Sequence, residues 1–205
     1  MTEGMRTRMF TRRRIWLWCL IVVFLASAAS LAYRHHKRYK HLAVHDPNMV
    51  FRSAWLDADV FRELIEEQQI RTVLNLCNAD ELCELRVDQR RAVRGSGARL
   101  IELPMPAATL DPADPEIQKF VDILSNPENY PLLVHCQHGV TRTAKVLVMY
   151  DILFRGMTAE QSIAAMPRFG REAYPVSVQT FARNFEERHS QLYPQASHKL
   201  DILRR

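Results

Sequence analysis

The chain has 205 residues, of which 47% are hydrophobic and 25% are charged, and its formal net charge is +5. This size and composition fit one globular domain with a short appendage, and they exclude a chain that is disordered throughout. Nine of the 28 Lys and Arg residues, but only one of the 23 acidic residues, lie within residues 1–41. The rest of the chain is therefore slightly acidic, which excludes a broad nucleic-acid-binding face.

The N-terminus combines a basic tail, residues 1–14, with an apolar run of 19 uncharged residues, 15–33. As a helix this run is about 28 Å long, close to the thickness of a bilayer core. Basic residues flank it on both sides, which is unusual for a buried core helix, and aromatic residues lie near its ends. We therefore expect residues 15–33 to be a transmembrane helix or signal anchor in contact with the lipid bilayer.

The flanking residues also bear on topology. Five Arg residues precede the apolar run and four basic residues follow it, a difference that favours a cytoplasmic N-terminus. We expect a single-pass membrane protein whose catalytic domain lies on the outer or periplasmic side. Small residues at positions 26–30 also fit a cleavable signal, which would give an exported form. Residues 34–48 are polar and basic and are interpreted as a linker.

From residue 49 onward, short runs rich in β-branched residues and Leu alternate with amphipathic stretches. The pattern predicts strands near residues 49–56, 71–76, 98–104 and 131–135, and helices over 57–69, 79–94, 116–124, 141–154, 159–166 and 177–188. A proline-rich loop, residues 104–115, interrupts the alternation. This order predicts an α/β domain over residues 49–190, with a central, largely parallel sheet flanked by helices. Residues 191–205 are interpreted as a C-terminal tail.

The residues best suited to catalysis lie where the last predicted strand ends. Cys136 follows that strand, and five residues separate it from Arg142 at the start of a predicted helix. Backbone N–H groups of this cysteine loop, residues 136–141, can surround an anion together with the helix N-terminus. The same positive end favours the thiolate of Cys136, and the planar fork of Arg142 matches two phosphate oxygens. The hydroxyl of Thr143 can donate to the sulfur.

The stretch 135–143, HCQHGVTRT, resembles the HCxxGxxR[ST] signature of cysteine-based protein tyrosine and dual-specificity phosphatases. Residues 50–54 and 71–76 resemble the entry strand and second strand of compact dual-specificity members, including exported bacterial ones. The resemblance covers about residues 49–189. It implies a phosphatase-type α/β fold, phosphorylated proteins as substrates, a cysteinyl-phosphate intermediate, and no cofactor or metal.

The resemblance also implies a role for each motif position. Cys136 is the expected nucleophile, Arg142 the phosphate clamp, and Thr143 the donor to the leaving sulfur. His135 is expected to orient the loop backbone and to tune the thiolate. The residues expected to bind the phosphate are Gln137, His138, Gly139, Val140, Thr141 and Arg142.

A general acid is expected on the proline-rich loop, because the family keeps an aspartate on the corresponding loop. Asp111 and Asp114 are both available there. We favour Asp111, since it lies closer to the preceding strand and to the family's usual separation from the cysteine.

Several alternatives stay open on the sequence alone. If neither aspartate reaches the loop, the chain is a membrane-tethered module that binds phosphorylated partners with little turnover. A sulfur transferase or arsenate reductase also uses a Cys-x5-Arg loop, although His135 and Thr143 disfavour this class. The loop lacks the lysines of inositide-directed relatives, so phosphoinositides are the less favoured substrates. Cys77 is either a core residue or, as in some relatives, a redox partner of Cys136. Arg52 is either a contact of the cysteine loop or a surface charge.

Overall fold

The computed structural model describes residues 3–81, 83–108 and 110–196 and divides the chain into two compact units, Met1–Tyr39 and Lys40–Arg205. The first unit is a single helix, α1 (Glu3–Arg38). Its stretch Trp16–His35 is long and apolar enough to cross a membrane, a property that signal sequences share. Large apolar side chains along this stretch are exposed, which argues against the buried core helix.

The second unit is a mixed α/β domain, which confirms the expected fold class. Its elements are β1 (Ala43–Asp46), β2 (Val50–Ser53), α2 (Ala58–Glu67), β3 (Thr72–Asn75), α3 (Cys83–Gly95), β4 (Arg99–Glu102), α4 (Pro115–Ser125), β5 (Leu132–His135), α5 (Thr141–Arg155), α6 (Ala159–Ala165) and α7 (Val176–Leu192). The five strands follow the order β1-β2-β5-β3-β4. All neighbours pair in parallel except β1 and β2, which are antiparallel.

The register of the sheet sets the position of the cysteine loop. β5 lies between β2 and β3, and His135 at its end pairs with Ser53 on one side and with Asn75 on the other. The carboxyl ends of three parallel strands therefore reach the same level. In open α/β sheets, ligands bind in the crevice beyond these ends.

The two segments interpreted as linker and tail contain more regular structure than expected. α1 continues through Arg38, and β1 occupies Ala43–Asp46 within the predicted linker. β1 is only four residues long and forms because it pairs with the edge of β2, a tertiary interaction that local sequence does not reveal. At the other end, α7 extends to Leu192 and Tyr193 is buried. Residues 197–205 of the predicted tail lie outside the described part.

The helices pack as two groups, α2 with α3 and α5 with α4, α6 and α7. α5 is buried along most of its length, and with β5 it forms the centre of the main hydrophobic cluster. A loop between a fully buried strand and a buried helix is held at both ends. This placement gives the cysteine loop a rigid frame.

Candidate active site

The cysteine loop connects β5 to α5 and brings the sulfur of Cys136 to the N-terminus of that helix. Cys136 is 3% exposed. The backbone N–H of Gly139 donates to Sγ at 3.2 Å, and the hydroxyl of Thr143 donates to it at 3.3 Å. The sulfur expected to act as nucleophile thus has donors on two sides.

Gly139 lies against the end of β2 so closely that a side chain has no room. Its φ is +64°, and a Cβ placed there would stand 2.5 Å from backbone atoms of Ser53 and Ala54. The φ value and the lack of space both favour glycine. Arg52, fully buried on β2, donates from Nη2 to the carbonyl of Gly139 at 2.8 Å. The interpretation of Arg52 as a loop contact is therefore confirmed.

The other carbonyls of the loop are also held from outside. The carbonyl of Gln137 accepts from the backbone N–H of Trp55 at 3.3 Å, and that of His138 lies 2.6 Å from Nδ1 of His41. With Gly139, three consecutive carbonyls are thus turned away from the centre of the loop. The inner side of the loop is thus left to its N–H groups, of which that of Gly139 faces the sulfur, as in a backbone nest.

The remaining residues expected to contact phosphate occupy the loop and the first turn of α5. Val140 is buried at the N-cap position, and Thr141 begins the helix half-buried. The side chain of His138 is exposed and that of Gln137 half-buried. The structure therefore brings the expected set together around one loop, in which Gln137 and His138 have the side chains most open to a substrate.

Arg142 is held by a partner that the sequence did not indicate. Its Nη1 and Nη2 donate to the two carboxylate oxygens of Glu81, both at 2.7 Å, and Nη1 also donates to the carbonyl of Leu76 at 3.2 Å. These hydrogen bonds lower the pKa of Glu81 and raise that of Arg142. A guanidinium has five N–H donors, so the Nε–H and one Nη2–H are left for a phosphate.

His135 takes part in a buried network behind the loop. Asn75 Nδ2 donates to Gln89 Oε1 at 3.0 Å, and Gln89 Nε2 lies 2.8 Å from His135 Nε2. The amide nitrogen can only donate, so the imidazole accepts at Nε2 and its proton is assigned to Nδ1. Burial lowers the pKa of His135 to about 3. The histidine is therefore neutral and links β5 to α3 and β3.

Both candidate acids lie on the proline-rich loop, and each already has partners. The carboxylate of Asp111 accepts from the backbone N–H of Ala113 at 2.8 Å and from Arg188 Nη1 at 2.7 Å. These bonds, led by that of Ala113, lower the pKa of Asp111. Asp114 is the N-cap of α4 and accepts from Glu116 N at 2.9 Å. Among the described residues, neither carboxylate forms a hydrogen bond or ion pair with the cysteine loop.

The other cysteines with described side chains, Cys19 and Cys77, form no hydrogen bond with the cysteine loop. Cys77 is fully buried, and burial raises its pKa to about 12. Cys19, Cys77 and Cys136 are free thiols. The described part of the chain contains no group of three His, Cys, Asp or Glu side chains arranged to hold a metal ion.

Sequence reasoning missed Glu81 and Gln89, which lie far along the chain from the motif they support. Glu81 follows β3 in a segment with several acids, and no local pattern distinguishes it. Asn75 offered a weak signal, because it is a polar residue within an apolar strand.

Comparisons with known proteins identify the family and the fold. Residues 40–184 match the family model described as DSP-PTPase phosphatase fused to NAD+ kinase. The dual specificity protein phosphatase TpbA of Pseudomonas aeruginosa is 28% identical over 122 residues, which cover 59% of this chain and 51% of TpbA. The chain thus spans about half the length of the curated relatives it matches.

Two solved structures show the same fold. The crystal structure of TpbA from Pseudomonas aeruginosa in complex with phosphotyrosine has a TM-score of 0.55 at 24% identity, covering 70% of this chain and 83% of that one. The catalytic domain of the PP-IP phosphatase SIW14 from Saccharomyces cerevisiae, in complex with citrate, has a TM-score of 0.61 at 19% identity, covering 74% and 88%.

Proposed function

The chain belongs to the family described as DSP-PTPase phosphatase fused to NAD+ kinase, and we propose that it hydrolyses phosphate monoesters with Cys136 as nucleophile. One observation carries the proposal. The Cys136 sulfur lies at the N-terminus of α5 and receives hydrogen bonds from Gly139 N and Thr143 Oγ1, while loop carbonyls point outward. This arrangement supports a thiolate beside an anion-binding nest.

The proposed reaction has two steps. The Cys136 thiolate attacks phosphorus, so that an S–P bond forms as the ester P–O bond breaks, and the leaving oxygen takes a proton from Asp111. Loop N–H groups and the two open donors of Arg142 stabilise the charge on the transferred group. Water then attacks the cysteinyl-phosphate while Asp111 accepts its proton, and Thr143 donates to the departing sulfur. Inorganic phosphate is released, and the thiolate of Cys136 is regenerated.

We propose phosphotyrosine in proteins as the first substrate class, with phosphoserine and phosphothreonine next. The phosphotyrosine complex of TpbA supports this choice by analogy. Phosphoinositides are the less favoured class, although SIW14 is a PP-IP phosphatase. The positions of the loop open to substrate are Gln137 and His138, and neither supplies the fixed positive charge that a polyphosphorylated ring favours. The loop chemistry therefore favours a singly phosphorylated side chain.

We further propose that residues 15–33 anchor the catalytic unit to a membrane, with that unit on the outer or periplasmic side. The exposed apolar stretch of α1 supports the anchor, and the flanking basic residues support the topology. Protease added to spheroplasts, whose outer membrane has been opened, should digest the catalytic unit if it lies outside the inner membrane. Protection of that unit until the membrane is opened would reverse the assigned side.

A second candidate function is a tethered phosphate-binding module with little turnover. The observation that favours it is the position of Asp111, whose carboxylate is exposed and paired with Arg188. If the acid stays in this arrangement, an anion still binds at the loop. The protonation of a poor leaving group would then be slow.

The test is phosphate release from an aryl phosphate by the full chain in detergent. We expect turnover by the wild type, its loss in Cys136→Ser, and near wild-type rates in Cys77→Ser, a matched change at another buried cysteine. Acid quenching followed by peptide mapping should place phosphate on Cys136. An inert wild type that still binds vanadate would favour the binding module, and turnover by Cys136→Ser would refute the assigned nucleophile.

A further inference from the structure

Lys145 is a fully buried cation that lies outside the cysteine loop. It lies on α5, one turn beyond Arg142, and is 0% exposed. A buried ammonium is costly unless its donors are satisfied. Among the described residues no carboxylate forms an ion pair with it, so a salt bridge does not account for its presence.

The acceptors of Lys145 are three consecutive backbone carbonyls of the proline-rich loop. Nζ donates to Pro106 O at 3.3 Å, to Ala107 O at 3.2 Å and to Ala108 O. An ammonium has three N–H donors, which these carbonyls use fully. The ring of Phe181 on α7 lies 6.0 Å from Nζ and adds a weaker favourable contact. Charge and acceptors are therefore matched within one small site.

The three carbonyls belong to a segment with little packing of its own. Pro106, Ala107 and Ala108 are exposed, so their side chains bury little apolar surface that would fix the backbone. Three successive carbonyls aimed at one point repel one another unless a cation lies between them. The conformation of this segment thus depends on the charge of Lys145.

The segment leads directly to the candidate acid. Asp111 follows Ala108 by three residues, and beyond it the carbonyl of Pro112 accepts from the hydroxyl of Tyr193 at 2.6 Å. The loop is therefore anchored on both sides of Leu110 and Asp111. Lys145 and the phosphate clamp Arg142 share a helix, so the first anchor and the cysteine loop move as one rigid element.

We propose that Lys145 is a positioning residue for proton donation: it holds the proline-rich loop at a fixed place over α5, so that the loop's aspartate can reach the leaving oxygen. This inference rests on the proposed phosphatase function. It assigns to Lys145 no contact with the substrate. Its action passes through the loop backbone alone.

Two substrates that differ in leaving group distinguish a role of Lys145 in proton donation from a role in the stability of the whole fold. Phenolate is a poor leaving group and needs a proton, whereas dinitrophenolate departs without one. kcat/KM reports the steps up to phosphoryl transfer to Cys136. In Lys145→Met, which keeps length and removes charge, we expect kcat/KM for phenyl phosphate to fall about tenfold or more. For dinitrophenyl phosphate it should fall less than about threefold. Assays at about pH 6 keep the wild-type lysine charged, since burial lowers its pKa only to about 8.

Two further variants sharpen the test. Met149→Ala removes buried contacts from the same helix without touching the ammonium, and it should leave the ratio between the two substrates unchanged. In an Asp111→Asn background, Lys145→Met should add little further loss, because both changes remove the same proton transfer. An equal fall with both substrates, or full additivity with Asp111→Asn, would overturn the proposal.

A readout that does not require turnover keeps the two proposals apart. Limited proteolysis of the full chain with a non-specific protease should cut faster within the proline-rich loop in Lys145→Met, while the cysteine loop stays uncut. An unchanged rate of cutting in the proline-rich loop would overturn the role of Lys145 whatever the activity. A wild type inert toward both aryl phosphates would instead overturn the proposed function.

Discussion

The cysteine loop and the proline-rich loop meet the same substrate in the proposed reaction, yet they are held in opposite ways. The cysteine loop lies between a buried strand and a buried helix, and residues from β2, α3 and the segment after β3 support it. The proline-rich loop is exposed at Pro106–Ala108, and the Asp111 carboxylate is exposed as well. Polar contacts from α5, α7 and Tyr193 hold it, and of its own side chains Met105 and Pro112 are buried.

This difference indicates that the cysteine loop serves phosphate binding and the proline-rich loop serves proton transfer. Phosphate binding needs donors fixed before the substrate arrives, which buried, satisfied hydrogen bonds provide. Proton donation needs a carboxyl group that gives up a proton and later accepts one, and such a group benefits from contact with water. Changes in the cysteine loop should therefore affect all substrates, whereas changes in the proline-rich loop should affect those with poor leaving groups.

The largest effect is expected from Arg142→Lys. A lysine keeps the charge but loses the planar fork that binds Glu81 and, in the proposed reaction, phosphate. We expect kcat/KM for aryl phosphates to fall on the order of a thousandfold, with good and poor leaving groups affected alike. Arg155→Lys, on the same helix and paired with Asp151, is the matched control. A loss of activity confined to substrates with poor leaving groups would contradict the proposed separation of the two roles.

The next effect tests which aspartate is the acid. Asp111→Asn should lower kcat/KM for phenyl phosphate about a hundredfold and spare dinitrophenyl phosphate. Asp114→Asn is a suitable comparison, because asparagine caps a helix as well as aspartate does, so α4 should remain intact. If steady-state rates fall more in Asp114→Asn than in Asp111→Asn, the roles of the two residues must be exchanged.

A smaller effect is expected from Glu81→Gln, which keeps the shape of the side chain and removes its charge. Arg142 would lose two charge-assisted hydrogen bonds and with them its fixed orientation. We expect kcat/KM to fall about tenfold for every aryl phosphate. Glu84→Gln, an exposed change in the same region, should have no effect. A rise in kcat/KM would mean instead that Glu81 competes with phosphate for the clamp.

The last prediction concerns stability rather than rate. The pKa of His135 is about 3 in the folded protein and about 6.5 in an unfolded chain. Between these values the unfolded chain binds a proton that the folded chain excludes. The free energy of unfolding should therefore fall with decreasing pH below about 6.5, by up to about 1.4 kcal/mol per pH unit. Denaturant titrations at several pH values give the free energy of unfolding, and in His135→Gln this free energy should depend less on pH than in the wild type. An equal pH dependence in the variant and the wild type would contradict the buried neutral histidine.

Local sequence determined the parts of this protein whose residues are close along the chain. The run from His135 to Thr143 fixed a strand, a tight loop and a helix start, so Cys136 and Thr143 had to meet. The family match confirms the resemblance that the same run suggested. The uncharged run at 15–33 likewise predicted a long apolar helix, because its length and composition are local properties.

Tertiary structure alone decided the partners of that local motif. Glu81 reaches Arg142 across 61 residues, Gln89 reaches His135 across 46, and Lys145 gathers carbonyls 37 to 39 residues away. β1 likewise exists only because it pairs with β2. Such contacts depend on which elements pack side by side, and the choice among many polar residues of similar type is made by burial, not by spacing. The sequence therefore specified the residues proposed as nucleophile and clamp, and the packed fold specified what holds them.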